Sequence, residues 1–171
     1  PVPYPFLDVL AGTNKTDIEM LDYILVTAPE KEIQLTASGG SENFKYNVSI
    51  GHLDQDGIIM NSSFKRYSAR ANFDVKVSKR LDLQFNLNPS YSTRHIVPSA
   101  GSGAGQGERT TDQAVAWIGC YPAYNPDGSY FIIDQALSMT VWHPVAVAEL
   151  ITNDQRNLRL IGNGRINYRI L

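Results

Sequence analysis

The chain has 171 residues, of which 43% are hydrophobic, 19% charged and 10% aromatic, a balance that excludes disordered and collagen-like classes. Fifteen Lys plus Arg against 17 Asp plus Glu give a net charge of -2, with neither a basic field for nucleic acid nor an acidic tail, so no nucleic-acid partner is expected. No stretch approaches the roughly 18 consecutive apolar residues of a transmembrane helix, which leaves a membrane β-barrel open, because barrel strands contain no such run.

The chain opens Pro1-Val2-Pro3-Tyr4-Pro5 without Met, basic region or apolar region, so any targeting signal is expected to have been removed or to lie upstream. Residues 1–31 read as a loop holding one short helix over residues 17–26, with Thr16 as N-cap, Asp17 and Glu19 in the first turn, and Pro29 as the stop. Residues 32–93 then alternate apolar and polar with a period of two, which predicts a meander of four strands. Ile33, Leu35 and Ala37 alternate with Gln34, Thr36 and Ser38; Phe44, Tyr46, Val48 and Ile50 alternate with Lys45, Asn47, Ser49 and Gly51. The longest run sets Tyr67, Ala69, Ala71, Phe73, Val75 and Val77 against Arg66, Ser68, Arg70, Asn72, Asp74 and Lys76. Leu81, Leu83, Phe85 and Leu87 follow, against Asp82, Gln84, Asn86 and Asn88, and Pro89 is expected to mark a bulge or the strand's end. Residues 39–43 and 78–80 are short hairpin turns by residue type and length, whereas an excursion is expected from Asp54 to about Phe64.

Residues 94–155 form a much longer connection, holding both tryptophans and a flexible glycine-rich stretch at 101–107. Residues 156–171 resume the alternation as a fifth, truncated strand, in which Gly162 and Gly164 suggest a bend or bulge. Five aromatic residues of the long connection, Trp117, Tyr121, Tyr124, Tyr130 and Trp142, are the candidate site: exposed rings stack on a bound molecule or touch a partner, while buried ones merely anchor the loop. Catalytic, metal and cofactor signals are weak. His52, His95 and His143 are scattered and read as surface histidines, and no paired carboxylates stand at glycosidase spacing. Asp54-Gln55-Asp56-Gly57 has its glycine too early for a calcium loop, and the glycine-rich stretch lacks GxGxxG or GKS/GKT. The single cysteine, Cys120, cannot close an intramolecular disulfide, so it does not report the redox compartment. The expectation is no enzyme, no cofactor and no metal.

Period-two alternation fits both a soluble β-sandwich, with the apolar face as core, and a membrane barrel, with that face on lipid. Strand length, the alternation of short and long connections, and tyrosines near both ends of the strands (Tyr67 and Tyr91, Tyr46 and Tyr168) favour the barrel. A soluble carbohydrate-binding sandwich is the alternative.

From Ser38 to Tyr67 the chain reads SGGSENFKYNVSIGHLDQDGIIMNSSFKRY, which closely resembles a signature segment of the SusC/RagA family of TonB-dependent outer-membrane transporters. Asn88-Pro89-Ser90-Tyr91-Ser92, Pro144-Val145-Ala146 and Asn157-Leu158-Arg159-Leu160-Ile161-Gly162-Asn163 resemble the family in the expected order. The departures are Ile18 where an aromatic is usual, His52 for a common Tyr, and His143 where Asn usually precedes the proline. The resemblance implies an all-β fold: an antiparallel up-and-down meander of about five long strands, part of a transmembrane β-barrel of roughly 22 strands, with residues 94–155 as a long irregular extracellular loop. It also implies a bacterial outer-membrane location amid lipid, import of an oligosaccharide or peptide, a SusD-type surface lipoprotein as lid, and energy drawn through the TonB complex. The plug and TonB-contacting segments are expected elsewhere in a longer protein, of which this chain is a barrel fragment.

Overall fold

The computed structural model describes residues 11–12, 17–99, 109–133, 141–151 and 153–170. The expected cap at Thr16 and the glycine-rich stretch lie outside these residues. Five strands, β1 (Glu30–Gly40), β2 (Phe44–Asp56), β3 (Ser63–Ser78), β4 (Leu81–His95) and β5 (Asp154–Tyr168), form one unclosed antiparallel sheet in chain order. At about 3.3 Å per residue, the 15-residue β4 and β5 each extend roughly 50 Å, far beyond the usual soluble strand of ~17–20 Å.

The register aligns the alternation across the whole sheet. One face carries the rows Ile33–His52–Tyr67–Tyr91–Leu158 and Tyr46–Phe73–Phe85, and the other the rows Gln34–Gly51–Ser68–Ser90–Arg159 and Asn47–Asn72–Asn86–Asn163. The apolar face is uncovered: Ile33 is 61% exposed and Leu158 77%. The turns are set by local chemistry. Ser41 N–H donates to the Phe44 carbonyl at 2.6 Å, and the Ser78 hydroxyl oxygen accepts from the Arg80 and Leu81 N–H groups at 3.2 and 3.1 Å.

Three details differ from the sequence expectation. The excursion after Asp54 is shorter, because β2 continues to Asp56 and β3 starts at Ser63; Gly57 N–H donates to the Ser62 carbonyl, and Asn61 takes a left-handed conformation (φ 60). Pro89 neither ends β4 nor bulges it. The β3–β4 ladder lapses between Ser68/Ser90 and Ala71/Leu87 and resumes in the same register, since a proline removes one N–H donor without adding a residue. The register shift lies instead between Lys76 and Ser78, beside the turn. Gly162 and Gly164 make no bulge either; they pair straight across from Leu87 and Phe85 in an unbroken β4–β5 register, small residues opposite large ones.

The chain divides into two compact units, the sheet and a second unit drawn from residues 1–28, 57–62 and 96–153. The second contains α1 (Leu21–Ile24), α2 (Thr110–Ala116) and α3 (Pro144–Leu150). The first helix is shorter than residues 17–26: Leu25 turns extended to bridge Ile59, and Val26 N–H donates to the Ile58 carbonyl, so backbone pairing ends the helix before Pro29. Nor is the long connection irregular throughout. It has two helices and shares a hydrophobic core of Met20, Ile24, Ala114, Trp117, Tyr121, Ala123, Ile133 and Val145. All the buried hydrophobic side chains found among the described residues belong to this unit.

Candidate functional site

The aromatic residues of the long connection fall into two groups. Trp117 ends α2 in an extended conformation that turns its ring into the core, and its indole N–H donates to the Tyr121 carbonyl at 3.2 Å. Tyr121 is buried beside Phe131, with ring centroids 5.6 Å apart, and burial raises its phenol pKa. These two rings anchor the unit. Tyr124, Tyr130 and Trp142 reach the surface.

Tyr124 and Tyr130 are brought side by side by a tight turn, Asn125-Pro126-Asp127-Gly128-Ser129. Gly128 takes φ 84, where a Cβ would be strained, and Asn125 N–H donates to the Ser129 carbonyl at 2.8 Å. Asp127 accepts from the Ser129 N–H and hydroxyl at 2.9 and 2.6 Å, and these bonds hold its carboxyl below the usual range. The paired rings lie 6.0 Å apart, with Tyr23 6.2 Å beyond Tyr124. The Tyr130 hydroxyl donates to the Glu149 carboxylate at the end of α3, which pushes its pKa up to about 12. Burial, then the charges of Glu149 and Tyr23, raises Tyr124 as well. Trp142 leaves 46% of its surface exposed, and its backbone N–H donates to the Gln113 side-chain oxygen at 2.8 Å.

The organising residue is His143, which is 7% exposed and so is no surface histidine. Its Nδ1 accepts from the Ala146 N–H at 3.2 Å, capping α3 ahead of Pro144, and its Nε2 lies 2.6 Å from the Ala123 carbonyl. An acceptor at Nδ1 and a donor at Nε2 define one neutral tautomer. Burial lowers its pKa, outweighing the opposing effects of Ala123 and Glu149. The rings of Trp117, Tyr130 and Tyr124 surround it at 5.2, 4.9 and 5.8 Å. Two sequence features that were not read could have found it: a His immediately before a helix-starting Pro, and an Asn-Pro-Asp-Gly turn between two tyrosines. Glu149 and Tyr23 carried no sequence signal.

Among the described residues no three His, Cys, Asp or Glu side chains are grouped to hold a metal. The chemistry available at this surface is ring stacking beside a carboxylate that already accepts a phenol.

Comparison with known proteins gives a consistent answer. No protein-family model matches the chain. It is 33% identical to TonB-dependent receptor P3 of Formosa agariphila over 138 residues, which is 80% of the chain and 13% of that protein. It is 29% identical to TonB-dependent receptor P26 of the same organism over 150 residues, 88% of the chain and 14% of the relative. To TonB-dependent receptor SusC of Bacteroides thetaiotaomicron it is 34% identical over 80 residues, 47% of the chain and 8% of that receptor. The solved structure of the RagAB peptide importer in its closed-closed state covers 68% of the chain at 29% identity and a TM-score of 0.55, over 13% of the importer chain. The matched region spans between 8% and 14% of the length of these curated relatives.

Proposed function

We propose, from the premise that this chain is a SusC/RagA-like relative of the TonB-dependent receptors, that its strands form part of the wall of an outer-membrane β-barrel and that residues 96–153 help shape the barrel's extracellular mouth. The observation that carries the wall reading is the uncovered apolar face. An apolar surface on such long strands, with all five ordered as one meander, suits hydrocarbon on one side and a watery lumen on the other. A soluble sandwich needs that face buried, and here it is open.

The chain makes and breaks no covalent bond in this reading. It contributes scaffold, and Tyr124, Tyr130 and Trp142 offer rings to a sugar or peptide, or to a SusD-type lid lipoprotein, with Trp117 and Tyr121 holding them in place. A peptide cargo fits this reading, since the structural neighbour RagAB is a peptide importer. Lid pairing and energy from the TonB complex belong to the whole receptor.

The wall orientation is tested in the full-length receptor. Phe73 lies on the apolar face, and Phe73→Arg should cost about 2–4 kcal/mol of barrel stability near the membrane midplane, whereas Asp74→Ala on the polar face should be nearly neutral. Equal tolerance at both positions, measured by denaturant unfolding in lipid, would reverse the assignment.

A further inference from the structure

The polar face of the sheet is not uniform. Its Asn47–Asn72–Asn86–Asn163 row carries four amides and no charge. Toward the 78–80 turn carboxylates are interspersed among the cations: in the register Lys45 stands opposite Asp74 and Lys76 opposite Asp82, and the Arg169 side chain lies 3.6 Å from Asp82. In the other direction lies a depression of about 310 Å³ lined by Arg66, Arg70, Arg159 and one carboxylate, Glu32. Among the described residues none of these four side chains is within 4.0 Å of an oppositely charged one. The lining is therefore left with two uncompensated positive charges.

The register explains the shape. Gly51, Ser68 and Ser90 are consecutive cross-strand partners on β2, β3 and β4, so a trough three strands wide is floored by residues with little or no side chain. Arg66 and Arg70 sit two residues to either side of Ser68 on β3, about 7 Å along the strand each way. Arg159 pairs with Ser90 and closes the third side. Glu32 is two strands away from Arg66, with Leu53 between them. Arg70 is already held: its Nε donates to the Asn88 side-chain oxygen at 3.1 Å, across the point where Pro89 interrupts the ladder. That bond uses one of five N–H groups and fixes the plane of the fork.

We infer that this trough binds an anionic group of a solute, a carboxylate, sulfate or phosphate, with the three guanidinium groups as donors and Ser68 and Ser90 as its floor. Planar, weakly hydrated guanidinium forks match oxyanions, and the Ser90 hydroxyl adds a donor where no bulky side chain blocks approach, while the Ser68 hydroxyl donates to the Gly51 carbonyl at 3.5 Å. The inference rests on the barrel-wall reading only in placing the site in the lumen, along the path of cargo.

The test uses the full-length receptor in detergent, labelled with phenylglyoxal and followed arginine by arginine by mass spectrometry, with inorganic sulfate as probe and chloride at equal ionic strength as control. Sulfate should slow modification of Arg66, Arg70 and Arg159 about tenfold, the effect of one good charge-assisted contact, while the exposed turn residue Arg80 reacts unchanged. Gly51→Val should abolish the protection, because even a Cβ at Gly51 would lie 2.9 Å from the Ser68 hydroxyl. Should that variant not assemble, Arg159→Gln, at a position exposed in the described structure, should raise the half-protecting sulfate concentration about tenfold. Slowing at Arg80 to the same extent, or at none of the arginines, would overturn the site. Constant protection that sulfate does not alter would assign the trough to a carboxylate of the receptor itself and overturn the solute site. Location is read separately: a fluorophore on Ser68→Cys in liposomes, in a Cys120→Ser background, should be quenched by aqueous iodide. Quenching by brominated lipid instead would overturn the lumen reading while leaving the sulfate result to stand or fall alone.

Discussion

His143 shows how one side chain sets the state of its surroundings. As a neutral ring it satisfies an orphan helix N–H through Nδ1 and a carbonyl through Nε2, with no bond to spare for a second proton. Asparagine, usual at this position in the resembled family, is a strong N-cap, so the histidine keeps the cap and adds the Ala123 bond. The pH consequence follows from the sign of the shift. The folded pKa lies below the ordinary 6.5, so the stabilisation is complete above pH 6.5 and is lost as pH falls from there through the folded value. The unit containing α3 should therefore lose stability on acidification, read from the fluorescence of Trp117, whose ring stands edge-on to His143 at 5.2 Å. His143→Asn should retain the cap and flatten this pH dependence. His143→Ala should lose about 1 kcal/mol for the cap alone at neutral pH. An unchanged acid profile in His143→Asn would move the sensitivity to other groups.

At the scale of elements, the strands and the long connection obey different logic. A strand's side chains alternate by covalent geometry, so period-two patterning reports both its existence and its faces; Pro89 cannot cancel that while β3 and β5 hold the register on either side of it, nor can two glycines of β5 while β4 holds theirs. The connection has no such period. Its helices are only seven residues each, too short to persist unaided, and they form because Ala114, Val145, Val147 and Ala148 are buried. Burial also sorts its aromatics into anchors and presented rings. In the full-length receptor, Tyr124→Ala with Trp142→Ala should weaken binding of cargo or lid, losing on the order of 1 kcal/mol per ring, while barrel assembly and the Trp117 signal stay intact. Trp117→Ala should instead disorder the unit, at a cost of about 3–5 kcal/mol for a large buried ring. Unchanged affinity for both partners in the double variant would leave those rings a packing role only.

For the whole molecule, the decisive imbalance is between a unit with a core and a sheet without one. Exposed isoleucine, leucine and tyrosine side chains share one sheet face, and β1 and β5 are edges in the described structure. Such a face and such edges promote association in water. These residues expressed alone in detergent-free buffer should aggregate, and detergent should rescue them. A monodisperse species near 19.0 kDa with a sharp cooperative melt and no detergent would contradict the uncovered face.

The sequence by itself determined the meander: alternation fixes which residues share a face, and short polar turns such as residues 39–43 and 78–80 make consecutive strands antiparallel neighbours. The extended match from Ser38 to Tyr67 likewise pointed to the family without coordinates. Which of the five loop aromatics are buried, that His143 is a buried cap, and that Arg66, Arg70 and Arg159 border one trough were decided only by tertiary structure. Each depends on residues far apart in sequence meeting through packing or register: His143 with Ala123, Trp142 with Gln113, Ser68 with Ser90 and Ser90 with Arg159. Local periodicity carries no record of such meetings, because burial and charge balance are properties of neighbours in space.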